Sequence, residues 1–417
     1  MTIGYACLTV GVPGTKQRTC TLKNATPDVL SALIQSNLEA LDNILDYNIQ
    51  NGIRLFRISS DIIPFGSHSV NTLKWWGIFD DQLKGIGHKA LSSGIRLSMH
   101  PGQYTVLNSP DPGVIERAVE DLRYHVRLMD AMGLGTEHKI ILHIGGIYGD
   151  KSRAIERFIR QYRCLDENIR QRLVIENDER QYNIGDVLAI GESRGIPVVF
   201  DNLHHQVNPD HTHAETEWIA ACASTWKRSD GPQKLHYSQQ RVGQRAGSHS
   251  ATLDVEDFLQ FYKRIPKPDV GIMVEVKDKN LSALKCMNAI AAPRIQRLER
   301  EWGRYKYLVL EHSPRAYQQI RQLLKDKSSY PVTDFYRLID EALTTPVTPG
   351  NAVNAAQHVW GYFKDSSDEQ ARRGFEKSID KVSKGGSSLP MKRSLWKLAG
   401  AHQQVYLLDS LYFSDLL

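Results

Sequence analysis

The sequence predicts an α/β chain: a (β/α)8 barrel of the TIM type over residues 1–296, with an all-helical domain appended over 297–417. Three observations predict it. Short β-branched runs alternate with amphipathic helical stretches at intervals of about 30 to 45 residues, the rhythm of repeated βα units and a parallel sheet. Gly52, Gly94 and Gly195 each follow a helical stretch and precede a strand, as a helix C-terminal glycine should. From about Ala291 onward no strand-like run separates the helical segments.

In chain order the expected strands are Ile3–Cys7, Arg54–Ser59, Ile95–His100, Lys139–His143, Leu173–Asn177, Val198–Asp201, Lys234–Tyr237 and Gly271–Val276. Eight such units close a barrel, which takes roughly 250 residues. Ser36–Gln50 and Val114–Met132 carry apolar residues at three- and four-residue spacing, so helices connect the strands. In the tail, helices are expected over 293–326, 331–343, 351–364, 366–382 and 390–413, with loops at 344–350 and 384–390.

Composition sets limits on function. With 417 residues, 41% hydrophobic and 24% charged, the chain has the make-up of a globular protein and none of the bias of a disordered one. No apolar run is longer than a strand and the N-terminus has no signal-peptide pattern, so a cytoplasmic monomer without membrane contact is expected. Cys7, Cys20, Cys164, Cys222 and Cys286 form no CxxC pair, which argues against a thiolate zinc site or a disulfide framework. The net charge is +5, of which residues 301–417 contribute +3. That permits a phosphate-bearing substrate without demanding one.

The polar residues fall at the strand ends. His100, His143, Glu176, Asp201, His236 and Glu275 each lie at or near the end of a predicted strand. The C-terminal ends of barrel strands surround one mouth, so these side chains should converge. One such residue alone is more often a hydrogen-bonded cap than a ligand. Several carboxylates crowded together repel unless protonated or bridged by cations, and imidazoles beside them suit transition metals. His204 follows Asp201 within loop reach of the same mouth, whereas His205 should point elsewhere. His249 and His68 lie in loops where substrate contact and metal ligation are equally expected. Lys234 shares a strand face with His236, either as a salt-bridge partner or as an amine carboxylated by carbon dioxide.

Two or three metals about 3.5–4 Å apart suit phosphodiester hydrolysis. The alternatives are a sugar isomerase or epimerase on a xylose isomerase-like barrel, which uses fewer metals and histidines, and a metal-stabilised DNA-binding module without catalysis. The histidine-rich mouth favours the nuclease. Gln103 and Tyr104, just past His100, either pack a loop or wedge into a duplex whose bases are extruded. Tyr5 is a candidate for the receiving pocket. Arg54, Arg57, Lys277 and Lys279 are candidates for phosphate contact or plain surface charges.

Taken together, GYACLTVG, RLFRISSD with PFGSH, SMHPGQY, ILHIGG, VIEND, VFDNLHH, KLHYS, GSHS and VEVKDK resemble the ultraviolet damage endonucleases, relatives of endonuclease IV. The resemblance covers residues 1–280. It implies a DNA repair enzyme that nicks damaged double-stranded DNA immediately 5′ to pyrimidine dimers and (6-4) photoproducts. It also implies divalent ions, up to about three, in a multinuclear site, with Mn2+ expected and Mg2+, Zn2+ or Co2+ as alternatives. Metal positions carry onto His100, His143, Glu176, Asp201, His204, His236, His249 and Glu275, and catalytic ones onto Glu176, His68 and Lys234, the last as a carboxylated lysine. Gln103 and Tyr104 match the pair that probes the damaged duplex, and Tyr5 a tyrosine near the lesion. Cys7 departs from the pattern, where asparagine is expected. RYKYLVLEHSPRAYQQI, NAVNAAQHVWGYFK and YLLDSLYF resemble the YbgA-like helical domain, whose role the sequence does not give. Its basic stretch from Lys377 to Lys397 reads first as a solvated face and second as a DNA contact.

Overall fold

The structure, a computed structural model, describes residues 1–266 and 269–417. Eight parallel strands close a barrel in sequence order: β1 (Thr2–Ala6), β2 (Leu55–Ile58), β3 (Arg96–Met99), β4 (Lys139–His143), β5 (Leu173–Glu176), β6 (Val198–Asp201), β7 (Gln233–Tyr237) and β8 (Val270–Val274). Every expected strand is present, and differences are confined to one or two residues at the ends. Helices connect the strands. That of Pro27–Gln50 starts at Thr26, whose side chain accepts from Val29 N, and buries Leu30, Ile34, Leu38, Leu41 and Leu45 along one stripe.

Register decides which side chains face inward. β4 pairs with β5 at His143↔Glu176, β6 with β7 at Asp201↔His236, and β1 with β2 at Ala6↔Arg57. Paired residues share a face and successive residues alternate. Arg57, His143, Glu176, Asp201 and His236 are therefore on the inner face, with Lys234 one inward step before His236. Ile141, Val174 and Val199 pack together among the inward apolar residues, as do Ala6, Leu55 and Met273. At Gly4 an added Cβ would come within 1.8 Å of the Leu55 carbonyl oxygen, so β1 meets β2 only with glycine there.

The chain divides into two compact units. One comprises Met1–Thr9, Gly14–Leu253 and Gln260–Ala283, the other Val10–Pro13, Asp254–Leu259 and Leu284–Leu417. The second is helical and packs around Leu310, Ala355, Val359, Phe363, Leu395, Tyr412 and Phe413. The helix expected over 293–326 is two, Ile295–His312 and Pro314–Leu323. Pro314 has no N–H to continue the ladder, and Ser313 caps the second helix by accepting from Ala316 N at 3.2 Å. The segment 390–413 is likewise broken, into Leu389–Ala401, Val405–Leu408 and a 3-10 turn from Leu411. Lys392, inside the basic stretch, is buried and paired with Glu311 at 2.7 Å and Asp415 at 3.1 Å, so it is not part of an exposed charge run. No helix among the described residues is long and apolar enough to cross a membrane.

Candidate metal centre

Glu176, at the end of β5 and 1% exposed, is the centre of the mouth. Its Oε1 lies 2.6 Å from His236 Nδ1, and its Oε2 lies 3.1 Å from His100 Nε2 and 3.9 Å from His143 Nε2. Two sets of donors close enough to share an ion result, His100/His143/Glu176 and Glu176/Asp201/His236, with Glu176 in both. His204 Nδ1 stands 3.8 Å from both Glu176 Oε1 and Asp201 Oδ1.

Local chemistry sets these positions. Asp201 ends β6 and caps the short helix Asn202–Val207, its Oδ1 accepting from His204 N at 2.8 Å. His204 is thus carried on a helix, where the sequence suggested a loop. Asn177, just past β5, accepts from Asp201 N at 2.9 Å and donates to the Asp201 carbonyl at 3.1 Å, locking two strand ends together. The Ser60 hydroxyl donates to the His100 carbonyl at 2.8 Å. Asn177 was not singled out from sequence, and its signal is an amide directly after a strand-end carboxylate.

The donors fit a cation. The Pro101 carbonyl, 3.0 Å from His100 Nδ1, can only accept, so neutral His100 presents the Nε2 lone pair to the Glu176 carboxylate. With Glu176 ionised, two acceptors face one another there, which a cation would satisfy. Asp201 Oδ2 and His143 Nδ1 are buried without a hydrogen-bond partner among the described residues. Buried polar atoms left this way are costly unless a ligand or ion satisfies them.

Electrostatics agree. Burial, with Arg57 adding to it, holds His100 well below the ordinary imidazole range, and burial with His204 brings His143 to about 4. Neutral imidazoles are the ligating form. Burial, reinforced by Asp201 and Glu275, pushes Glu176 well above the usual carboxylate range. Burial opposes ionisation of Glu275 as well, but Arg57, His236 and His249 outweigh it and hold its pKa well below. Burial also works against protonation of His204, yet Asp201 and the Asn177 carbonyl raise it.

Arg57 was read from sequence as a phosphate contact or a surface charge, yet it lies inside the centre. Its Nη2 is 2.8 Å from His236 Nε2 and forms an ion pair with Glu275. Glu179, also not singled out, places Oε2 4.0 Å from His204 Nε2. His249 pairs with Gln240 in an isolated bridge, and its charge acts on both Asp201 and Glu275. Lys234 is fully buried, its Nζ has no hydrogen-bond partner among the described residues, and burial beside Arg96 and Arg57 holds its pKa well below the ammonium range.

Other candidates stand differently. His68 is exposed and makes its contacts within its own loop, with Nδ1 accepting from Val70 N at 3.0 Å and the ring edge-on to Phe65. Gln103 and Tyr104 are the central residues of a turn closed by Thr105 N to Gly102 O at 2.9 Å, and Tyr104 is 69% exposed. Thr105 ties the turn down by donating to Asp121 at 2.7 Å. A Cβ on Gly102 would meet the Tyr104 ring at 2.4 Å, so any other residue there would displace that ring. Tyr5 does not line the mouth. It points outward from the barrel, fully buried, and its hydroxyl donates to Asn48 of Pro27–Gln50 at 2.9 Å. Arg54 precedes β2 and is at the opposite end of the strand from the mouth, whereas exposed Lys277 follows β8.

Known proteins resemble the chain along most of its length. Residues 1–302 match the family described as UV-endonuclease UvdE, and residues 306–415 a family described as a protein of unknown function (DUF1722). A UV DNA damage endonuclease of Clostridium perfringens is 39% identical over 351 residues, covering 83% of this chain and 84% of that one. One from Bacillus cereus is 33% identical over 275 residues, 65% of this chain and 86% of the other. Among solved structures, that of SacUVDE superposes with a TM-score of 0.66 at 37% identity, covering 70% of this chain and 98% of that one.

Proposed function

The chain belongs to the UV-endonuclease UvdE family, and on that premise we propose that it nicks damaged duplex DNA immediately 5′ to ultraviolet photoproducts by multinuclear, metal-dependent phosphodiester hydrolysis. The family makes it a UV DNA damage endonuclease. The metal-dependent mechanism rests on one observation: Glu176 belongs to both ligand sets. A shared carboxylate is what adjacent cations need between them.

In this reading His100, His143 and Glu176 hold one ion, and Glu176, Asp201, His236 and Glu275 a second. His204 and His249 beside Asp201 serve a third. The imidazole and carboxylate donors, without thiolate, suit Mn2+. Bound ions would supply a nucleophilic oxygen at neutral pH and counter-charge for the leaving oxygen. The chain's own residues do the rest. Asn177 keeps β5 and β6 in step, so Glu176 and Asp201 stay aligned. His68 accepts from Val70 at Nδ1, which leaves its proton on Nε2, the atom free to donate toward substrate. Gln103 and Tyr104 reach the duplex from a turn anchored on Asp121.

End-labelled duplex bearing a single photoproduct, incubated with the protein and Mn2+, should yield one new end immediately 5′ to the lesion, and a chelator should abolish it. A nick that survives chelation, or one mapping elsewhere, would sink the reading.

Lys234 is assigned a carbamate. A buried amine whose charged form is disfavoured is neutral and nucleophilic; it adds carbon dioxide, loses a proton and becomes an anion beside the ligands. Native mass spectrometry in bicarbonate should find one carbon dioxide adduct, lost in Lys234→Ala. An unmodified wild-type chain under those conditions counts against the assignment.

A further inference from the structure

We propose that Tyr148, on the loop that follows β4, is a second stacking face of the mouth: its ring packs against a base unstacked at the lesion and adds to the preference for damaged over intact duplex. The assignment rests on the DNA-nicking reading above and extends it to a residue outside both the metal centre and the Gln103–Tyr104 turn.

Backbone strain singles the residue out. Among the described residues, Cys7, Phe65, Tyr148, Lys279 and Gln403 are the non-glycine positions with positive φ. The first four lie on the segments that leave β1, β2, β4 and β8 at their C-terminal ends, so the strain gathers around the mouth. Strained backbone persists only where the surroundings hold it, and it concentrates at ligand sites. At Tyr148 it comes from a tight turn. Asp150 N donates to the Ile147 carbonyl at 3.0 Å, and the two central residues, Tyr148 and Gly149, have φ of 50° and 79°. Turns with both central φ values positive favour Asn-Gly or Asp-Gly, and a bulky aromatic at the first central position is unfavourable. Local folding gives no reason for tyrosine there.

Packing places the ring. The guanidinium of Arg157, on the helix Lys151–Cys164, sits 5.5 Å from the Tyr148 ring centroid, and its Nε donates to the Asn108 carbonyl at 2.8 Å. Asn108 is buried and donates from Nδ2 to the Gly146 carbonyl at 2.7 Å. The loop after β4 is thereby tied to the segment after β3 that carries Tyr104. That loop leaves directly from His143, a member of the first ligand set, and Tyr148 on it is 47% exposed. A ring fixed beside the place where the strand is cut, and half open to solvent, offers a π-face to any base. Only a base out of its own stack presents a face in return, which is the state an opened lesion provides.

Fluorescence anisotropy of the full chain on labelled duplex, with and without a single photoproduct and in chelator, reads binding without nicking. Tyr148→Asn gives the turn its favoured Asn-Gly pair and so removes the strain and the ring together. It should weaken binding to the damaged duplex about tenfold, the scale of one base–aromatic contact, and leave binding to the intact duplex within about twofold. The salt dependence should stay that of wild type, because no phosphate contact is lost. The melting temperature should rise by about 1–3 °C, as relief of strain at a functional residue predicts. Tyr148→Phe, which keeps the ring, should bind within about threefold of wild type. Undiminished binding by Tyr148→Asn overturns the assignment. So does a lowered melting temperature, which would show that the ring holds the fold, and so does a shallower salt dependence, which would move the role to Arg157 and a phosphate. All three leave the nicking reading standing. Equal binding of damaged and intact duplex by the wild type removes lesion recognition and this assignment together.

Discussion

Glu176→Gln is expected to lower nicking of photoproduct-bearing duplex by about 10³-fold or more, the scale of losing a central electrostatic group from an active site. Glutamine keeps the shape and one carbonyl oxygen, a neutral and weaker ligand, but loses the charge and the second carboxylate oxygen, so both donor sets are weakened at the residue they share. The substitution should not cost the fold. Burial, Asp201 and Glu275 all disfavour the Glu176 anion, so a neutral replacement removes an unfavourable charge. Its melting temperature in chelator should match or exceed that of wild type, while added Mn2+ raises it less. Retained nicking would remove Glu176 from the mechanism, and a collapsed melting temperature would show a structural role in its place.

Arg57 and Glu176 belong to one electrostatic scheme. Buried carboxylates of like charge demand cations, and the protein supplies a fixed guanidinium on one side of the mouth and lone pairs of neutral imidazoles on the other. The two carboxylates respond oppositely: Glu275, against Arg57, stays ionised, while Glu176, without a fixed cation of its own, holds its proton more tightly. The second of these is the group that gains most from bound metal.

Much of this centre was legible in the sequence because strand ends of a closed parallel barrel point to one place. His100, His143, Glu176, Asp201 and His236 fall there through period-two alternation alone, and the register pairs His143 with Glu176 and Asp201 with His236. What failed has a physical cause. β1 carries no strand-end ligand to fix its phase, so nothing in TIGYA distinguished the inner Gly4 and Ala6 from the outward Tyr5. The side chain of Arg57 was read as a phosphate contact or a surface charge because its partners, His236 and Glu275, lie 179 and 218 residues away and become neighbours only when the barrel closes. Asn177 and Glu179 lie past the strand, where alternation no longer predicts direction. In the tail, a hydrophobic pattern continuous across Ser313–Pro314 concealed a break that proline alone imposes.

Tyr104→Ala is expected to slow nicking of photoproduct-bearing duplex by about 10- to 100-fold, the equivalent of one lost base–aromatic stacking contact. The ring is 69% exposed at the tip of a turn, so its face is open to stack on a base. Its removal leaves the turn intact, since Thr105 N still reaches the Gly102 carbonyl and Thr105 still bonds Asp121. Metal content and melting temperature should therefore match wild type. Tyr104→Phe, which keeps the stacking face, should stay within about threefold of wild type if stacking dominates over the hydroxyl. Equal rates for Tyr104→Ala and wild type on the damaged duplex would mean that the turn packs against nothing in the substrate. A loss matched by falling metal content would instead trace the effect to His100, four residues earlier on the same segment.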